Sequence, residues 1–148
     1  LYVPPEYLEK GREALDVLLP KESHTKDVDL ALLSLIYPYN IVSKEMATKI
    51  IHNVEEILVR ENGVIRYVDD QYYHDRGEAE WTFGFPWLAI IHRQLGNQEK
   101  YQYYLNKTIA VLNPQGELPE LYLAHSQVGN DNTPLGWSQG MFLLAMES

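Results

Sequence analysis

Three segments that are apolar on nearly every side begin near residues 27, 82 and 134, and each follows a segment carrying only one apolar stripe. A helix apolar all round must be covered by protein on all sides, whereas a striped helix covers one neighbour and turns its other face to water. An alternation of the two kinds at a spacing of roughly 50–55 residues is the mark of stacked helical hairpins. In a double-layered ring of such hairpins the apolar helices line the inside and the amphipathic helices the outside. The predicted fold class is therefore all-α, with about six helices.

The punctuation of the chain agrees. Pro4-Pro5 opens a helix over about 6–18, with Leu8, Leu15, Leu18 and Leu19 as its sparse stripe, and Pro20 ends it. The apolar stretch 27–37 reads as a buried helix closed by Pro38. Ser43 caps a helix to about residue 60, with Met46, Ile50, Val54, Ile57 and Leu58 at helical spacing. A fourth helix over 81–95 is apolar throughout, and Pro86 either kinks it or marks its true start. Asn97 caps a fifth to about 112. Thr133 before Pro134 predicts the cap and first turn of a sixth helix over 134–146. No strand is required.

Two connections are too long to be idle. Helices in compact domains are usually joined by about 2–8 residues, yet 61–80 and 113–133 are polar and aromatic loops. Every outer-to-inner connection of a hairpin ring emerges at one end, so these two loops are expected side by side. Three hairpins make half of a six-hairpin barrel, which leaves an apolar face larger than a soluble monomer normally shows. A missing N-terminal half of the barrel, self-association, or collapse of the inner helices would cover it.

Composition narrows the partners. A net charge of −9 with no basic run excludes nucleic acid and anionic membrane as expected partners. No apolar run approaches the roughly 20 residues of a membrane span. The absence of cysteine fits a reducing, cytoplasmic setting. Eleven Tyr and three Trp against three Phe supply rings with a polar edge, the kind that sugar-binding clefts use, although most such rings pack between helices.

The run Arg66-Tyr67-Val68-Asp69-Asp70-Gln71-Tyr72 resembles the Arg-Tyr-x-x-Asp-x-Tyr stretch of glycoside hydrolase family 15, the glucoamylases and glucodextranases. Leu118-Pro119-Glu120 followed by Pro134-Leu135-Gly136-Trp137-Ser138 resembles that family's Pro-Glu and Pro-Leu-x-Trp-Ser pair. Glu78-Ala79-Glu80-Trp81-Thr82-Phe83 and Gly136-Trp137-Ser138-Gln139 are closer to the glucoamylase-like domain of phosphorylase kinase regulatory subunits. The matches span about 63–145. The resemblance implies a helical (α/α)6 toroid of six-hairpin glycosidase type, with residues 1–148 as one domain forming the C-terminal part of a family 15-like unit. It also implies an inverting, exo-acting hydrolase of α-glucans that needs no cofactor. Residue by residue it puts Glu120 at the general base, with Arg66, Tyr67, Asp70, Trp81, Tyr122 and Trp137 as the substrate-binding set. The family's general acid has no counterpart here, so the isolated chain is expected to be inactive.

The residue types suit that chemistry. Inversion needs one acid to protonate the leaving oxygen and one carboxylate to activate water on the opposite face, about 6.5–9.5 Å away. Arginine holds sugar hydroxyls through its planar fork of donors. Simpler readings compete at each position: Arg66 as an ion-pair partner of Asp69, Asp70 or Asp75, Tyr122 as a packing ring, Glu78 and Glu80 as a helix N-terminal charge and a solvated acid. The alternative function is a non-catalytic glucan-binding or regulatory module. The acids and His74 of 69–78 match no calcium loop, the histidines lack metal-ligand spacing, and Ser138 has no base partner in the sequence.

Overall fold

The computed structural model describes residues 2–147. Its elements are α1 (Pro5–Leu18), a 3-10 helix (Leu30–Leu35), α2 (Lys44–Leu58), β1 (Glu80–Trp81), α3 (Gly84–Gln94), α4 (Gln98–Ala110), β2 (Leu121–Tyr122) and α5 (Gly136–Glu147). The architecture is all-α helical hairpins with very little sheet. Inner elements begin at 30, 84 and 136, each preceded by an outer helix.

Caps placed two outer helices where the sequence predicts them. The Ser43 hydroxyl accepts from Met46 N and the Asn97 side chain accepts from Lys100 N, so each satisfies an otherwise orphaned N–H of the first turn. In α2 the stripe Ala47, Ile50, Ile51, Val54 and Leu58 is buried, while Ile57 falls on the exposed side. α3 buries every residue from Gly84 to His92 and is the centre of the core, with both α4 and α5 packed against it.

Four expectations are corrected. The stretch 27–37 forms only a six-residue 3-10 helix, because Asp29 caps Ala31 N and Leu30 N–H is drawn out to Arg66 O instead of into a helical ladder. Trp81 is not helical: it lies in β1, and α3 begins at Gly84 with Pro86 in its first turn, where proline removes no helical hydrogen bond. Thr133 does not cap α5, since its hydroxyl donates to Asn130 O and the following Leu135 N–H pairs with Leu118 O, which holds the chain in a loop until Gly136. Finally, strands are present. β1 pairs antiparallel with β2, with Glu80 opposite Tyr122 and Trp81 opposite Leu121.

That short ladder welds the two long loops together. Val64 exchanges both backbone hydrogen bonds with Trp81, and Thr82 N–H continues the pairing to Glu120 O. Gly63 permits the approach, since a Cβ there would stand 2.6 Å from the Glu80 carbonyl carbon. Glu80 is buried, not solvated: its Oε2 accepts from Asn62 N at 2.6 Å and so fixes the Asn62-Gly63 turn. The Thr82 hydroxyl donates to Pro119 O and lies 2.9 Å from Ser138 Oγ, which gives Ser138 a structural part in tying α5 to the ladder.

α1 buries no residue; Leu15, Leu18 and the following Leu19 are half-buried, and Leu19 packs against the core. The inner elements do not collapse together. The 3-10 helix and α5 both rest on α3 and leave a hollow between them, and on the open side of α5 Trp137, Leu143, Leu144 and Met146 are exposed.

Candidate functional site

The hollow is a cavity of about 590 Å³ at the loop end, walled by Trp81, Phe83, Trp87 and Trp137 and by Leu30, Tyr37, Met141 and Leu144, with Asp29, Ser34 and Arg66 as its polar groups. A mainly apolar hollow with few polar groups suits a small organic ligand. The rings form a continuous wall. Trp137 stacks on Phe83 at 4.2 Å between centroids, Trp81 meets Phe83 at 5.6 Å and Trp87 meets Trp137 at 5.8 Å. Trp87 is held by its indole N–H, which donates to Tyr37 O. Phe83 and Trp87 are one helical turn apart, so their shared face was readable from spacing, though not that it borders a cavity.

Arg66 enters the cavity from the loop after Val64. Its Nε and one terminal nitrogen donate in parallel to the two Asp70 oxygens, at 2.6 and 2.8 Å. Asp70 is 1% exposed and also accepts from Tyr72 N. Burial pushes the Asp70 carboxyl up, but the guanidinium and the Tyr72 N–H outweigh it and hold the group below the usual carboxylate range. The same bond to Asp70 raises Arg66 against its own desolvation. The guanidinium lies over the Trp81 ring at 4.7 Å and over Tyr72 at 5.2 Å, a geometry that holds the cation by the ring faces. Its Nη1 has no acceptor among the described residues. The ion pair and the cavity wall are thus both features of Arg66.

The other sequence-derived residues fall in three places. Trp81 and Trp137 line the cavity with Arg66, and Asp70 stands behind it. Tyr67 is off the lining, under the Lys26 ammonium at 3.8 Å. Tyr122 is turned into the core, where its hydroxyl donates to Val111 O, so it does not line the cavity. Burial raises the pKa of its hydroxyl.

Glu120 lies at the same end, beyond the cavity lining. Its backbone carbonyl accepts from Thr82 N, next to Trp81. Its half-buried carboxylate makes no ion pair among the described residues and instead accepts at Oε2 from two amides, Asn130 Nδ2 at 2.6 Å and Asn132 Nδ2 at 2.8 Å. These asparagines were missed from sequence, although the pair Asn130-Asp131-Asn132 sits between the two Pro-containing motifs and its alternation puts both amides on one side of an extended chain. Two buried polar atoms lack any partner among the described residues, Trp81 Nε1 and Asn130 Oδ1, and both belong to this end.

The fold is one shared with solved glycosidases. A wild-type glycosidase superposes with a TM-score of 0.72 at 23% identity over 81% of this chain and 35% of its own. A glycosidase with a phenylalanine-to-tyrosine change gives 0.73 over 84% and 36% at the same identity, and one with a glutamate-to-alanine change, solved in complex with glucose, gives 0.72 at 22% identity over 81% and 35%. By sequence, the uncharacterized glycosyl hydrolase MJ1610 of Methanocaldococcus jannaschii is 29% identical over 134 residues, covering 80% of this chain and 21% of that protein. The chain therefore spans about a fifth of its curated relative and about a third of those structures. No family model matches it.

Proposed function

We propose that the chain forms the C-terminal part of a family 15-like glycoside hydrolase, an inverting enzyme acting at the ends of α-glucans, with Glu120 as general base. In this reading Arg66 grips sugar hydroxyls with Nη1 and Trp137 offers its ring face to the sugar. The supporting observation is the meeting of the two loops: an Asp70-oriented arginine lines an aromatic cavity beside β1, and a carboxylate without an ion pair among the described residues stands one residue from β2, at the same end of the molecule. Glycosidase relatives by fold and by sequence support the same class.

The chemistry asks for a carboxylate that water can reach, and Glu120, only half-buried and bound through Oε2 alone, meets that need. The general acid is supplied in this reading by further hairpins of the same barrel, which would also cover the open side of α5. No cofactor enters the reaction. In the full-length protein, Glu120→Gln is expected to lower maltooligosaccharide hydrolysis at least about 100-fold while calorimetric binding of the same sugar persists. NMR of the first product should give the β-anomer of glucose. Turnover retained in Glu120→Gln overturns the assignment, and wild-type binding without turnover replaces it with a glucan-binding module, which the arginine and ring wall would serve unaided.

A further inference from the structure

The two oxygens of Glu120 are not equivalent. Oε2 accepts both amide bonds, and Oε1 has no protein partner among the described residues. A carboxylate can only accept, so each asparagine is obliged to present Nδ2 to it. For Asn130 this turns Oδ1 into the protein, where it is buried without a donor. An unmet buried carbonyl is a cost that a purely structural contact avoids. The segment that carries the amides is itself pinned: Glu120 N donates to Asn132 O at 3.0 Å, Asn130 N to Leu121 O at 3.2 Å and the Thr133 hydroxyl to Asn130 O at 2.8 Å.

We propose that Asn130 and Asn132 are positioning residues of the hydrolytic reaction, which clamp Glu120 through Oε2 and leave Oε1 as the atom that takes the proton from the attacking water. The inference rests on the glycosidase reading above. In the step it describes, a water O–H bond breaks and its proton passes to Oε1 while the oxygen bonds to the anomeric carbon. The glycosidic C–O bond breaks on the opposite face, and its electron pair leaves with the oxygen that the general acid, a carboxylic acid, protonates. The amides act on the reaction through Glu120. They fix the rotamer of the base, so that Oε1 is held in one direction.

Asn132 is exposed, so its replacement spares the core. In the full-length protein, Asn132→Ala is expected to lower kcat for maltooligosaccharides about tenfold and to leave KM within about twofold, the signature of a group acting only on the chemical step. Asn132→Asp puts a second carboxylate against the base and should move the acid limb of the kcat/KM profile to higher pH, because like charges disfavour ionisation. A packing role would leave both kcat and KM at their wild-type values in Asn132→Ala. If Glu120→Gln is inactive while Asn132→Ala keeps wild-type kcat, the clamp is refuted and Glu120 stands. If Glu120→Gln is active, both fall.

Discussion

The seam between α2, α3 and α4 and the rim where the two long loops meet are both polar insertions into an apolar fold, yet they are finished differently. At the seam, Glu55 from α2 accepts from His92 of α3 at 2.9 Å and from Lys100 of α4 at 3.2 Å, and His92 stacks on Tyr104 at 5.7 Å. Burial pushes the Glu55 carboxyl up, but hydrogen bonds from His92, Tyr104 and Lys100 overcome it and bring the group down to about 2. Burial and the neighbouring Glu55 raise Tyr104 strongly. The rim instead gathers atoms without a partner among the described residues: Arg66 Nη1, Glu120 Oε1, Trp81 Nε1 and Asn130 Oδ1. Closed networks hold elements together, whereas groups left open are available to a ligand. The difference separates a part of the molecule that is closed on itself from a part whose groups are left open.

The largest expected effect is at the seam. Glu55→Ala strands a buried imidazole and should cost about 3 kcal/mol in urea unfolding, as breaking buried pairs does. A loss below about 1 kcal/mol would break the comparison. Acid probes the same bond without mutation. Because Glu55 falls from 4.5 to about 2 on folding, its contribution is complete above the unfolded value and disappears as pH drops from about 4.5 toward 2. The shift corresponds to roughly 3 kcal/mol, readable as a fall in unfolding free energy that Glu55→Ala lacks over this window. The smallest effect is at the rim. Trp81→Phe removes an indole N–H that has no partner, and the relief offsets lost ring area, so stability should stay within about 1 kcal/mol of wild type by thermal melting. A loss above about 3 kcal/mol would mean that the rim is built for stability after all.

Much of this was legible residue by residue. Ser43 and Asn97 cap their helices because capping is local, a side-chain oxygen meeting an N–H three residues on. The meeting of 61–80 with 113–133 followed from the alternation of apolar and striped segments, since topology alone brings like-sided connections together. What failed was local reasoning applied to groups with distant partners. Thr133 has the residues of a cap, but Asn130 O takes its hydroxyl. The stretch 27–37 has the apolar content of a helix, but Leu30 N–H is claimed by Arg66 O and the helix shortens. Glu80 looked solvated, and an N–H 18 positions away makes it a buried strut.

The order of amphipathic and apolar segments by itself determined that this chain stacks helical hairpins and that Arg66 and Glu120 emerge at one end. Periodicity is an intrinsic property of each segment, and burial follows from it. Only the tertiary structure decided that Asp70 clamps the arginine, that Tyr122 turns into the core, and that two asparagines both hold the same oxygen of Glu120. Those outcomes depend on which groups reach each other across the β1–β2 ladder, and hydrogen-bond competition among distant residues leaves no trace in local spacing.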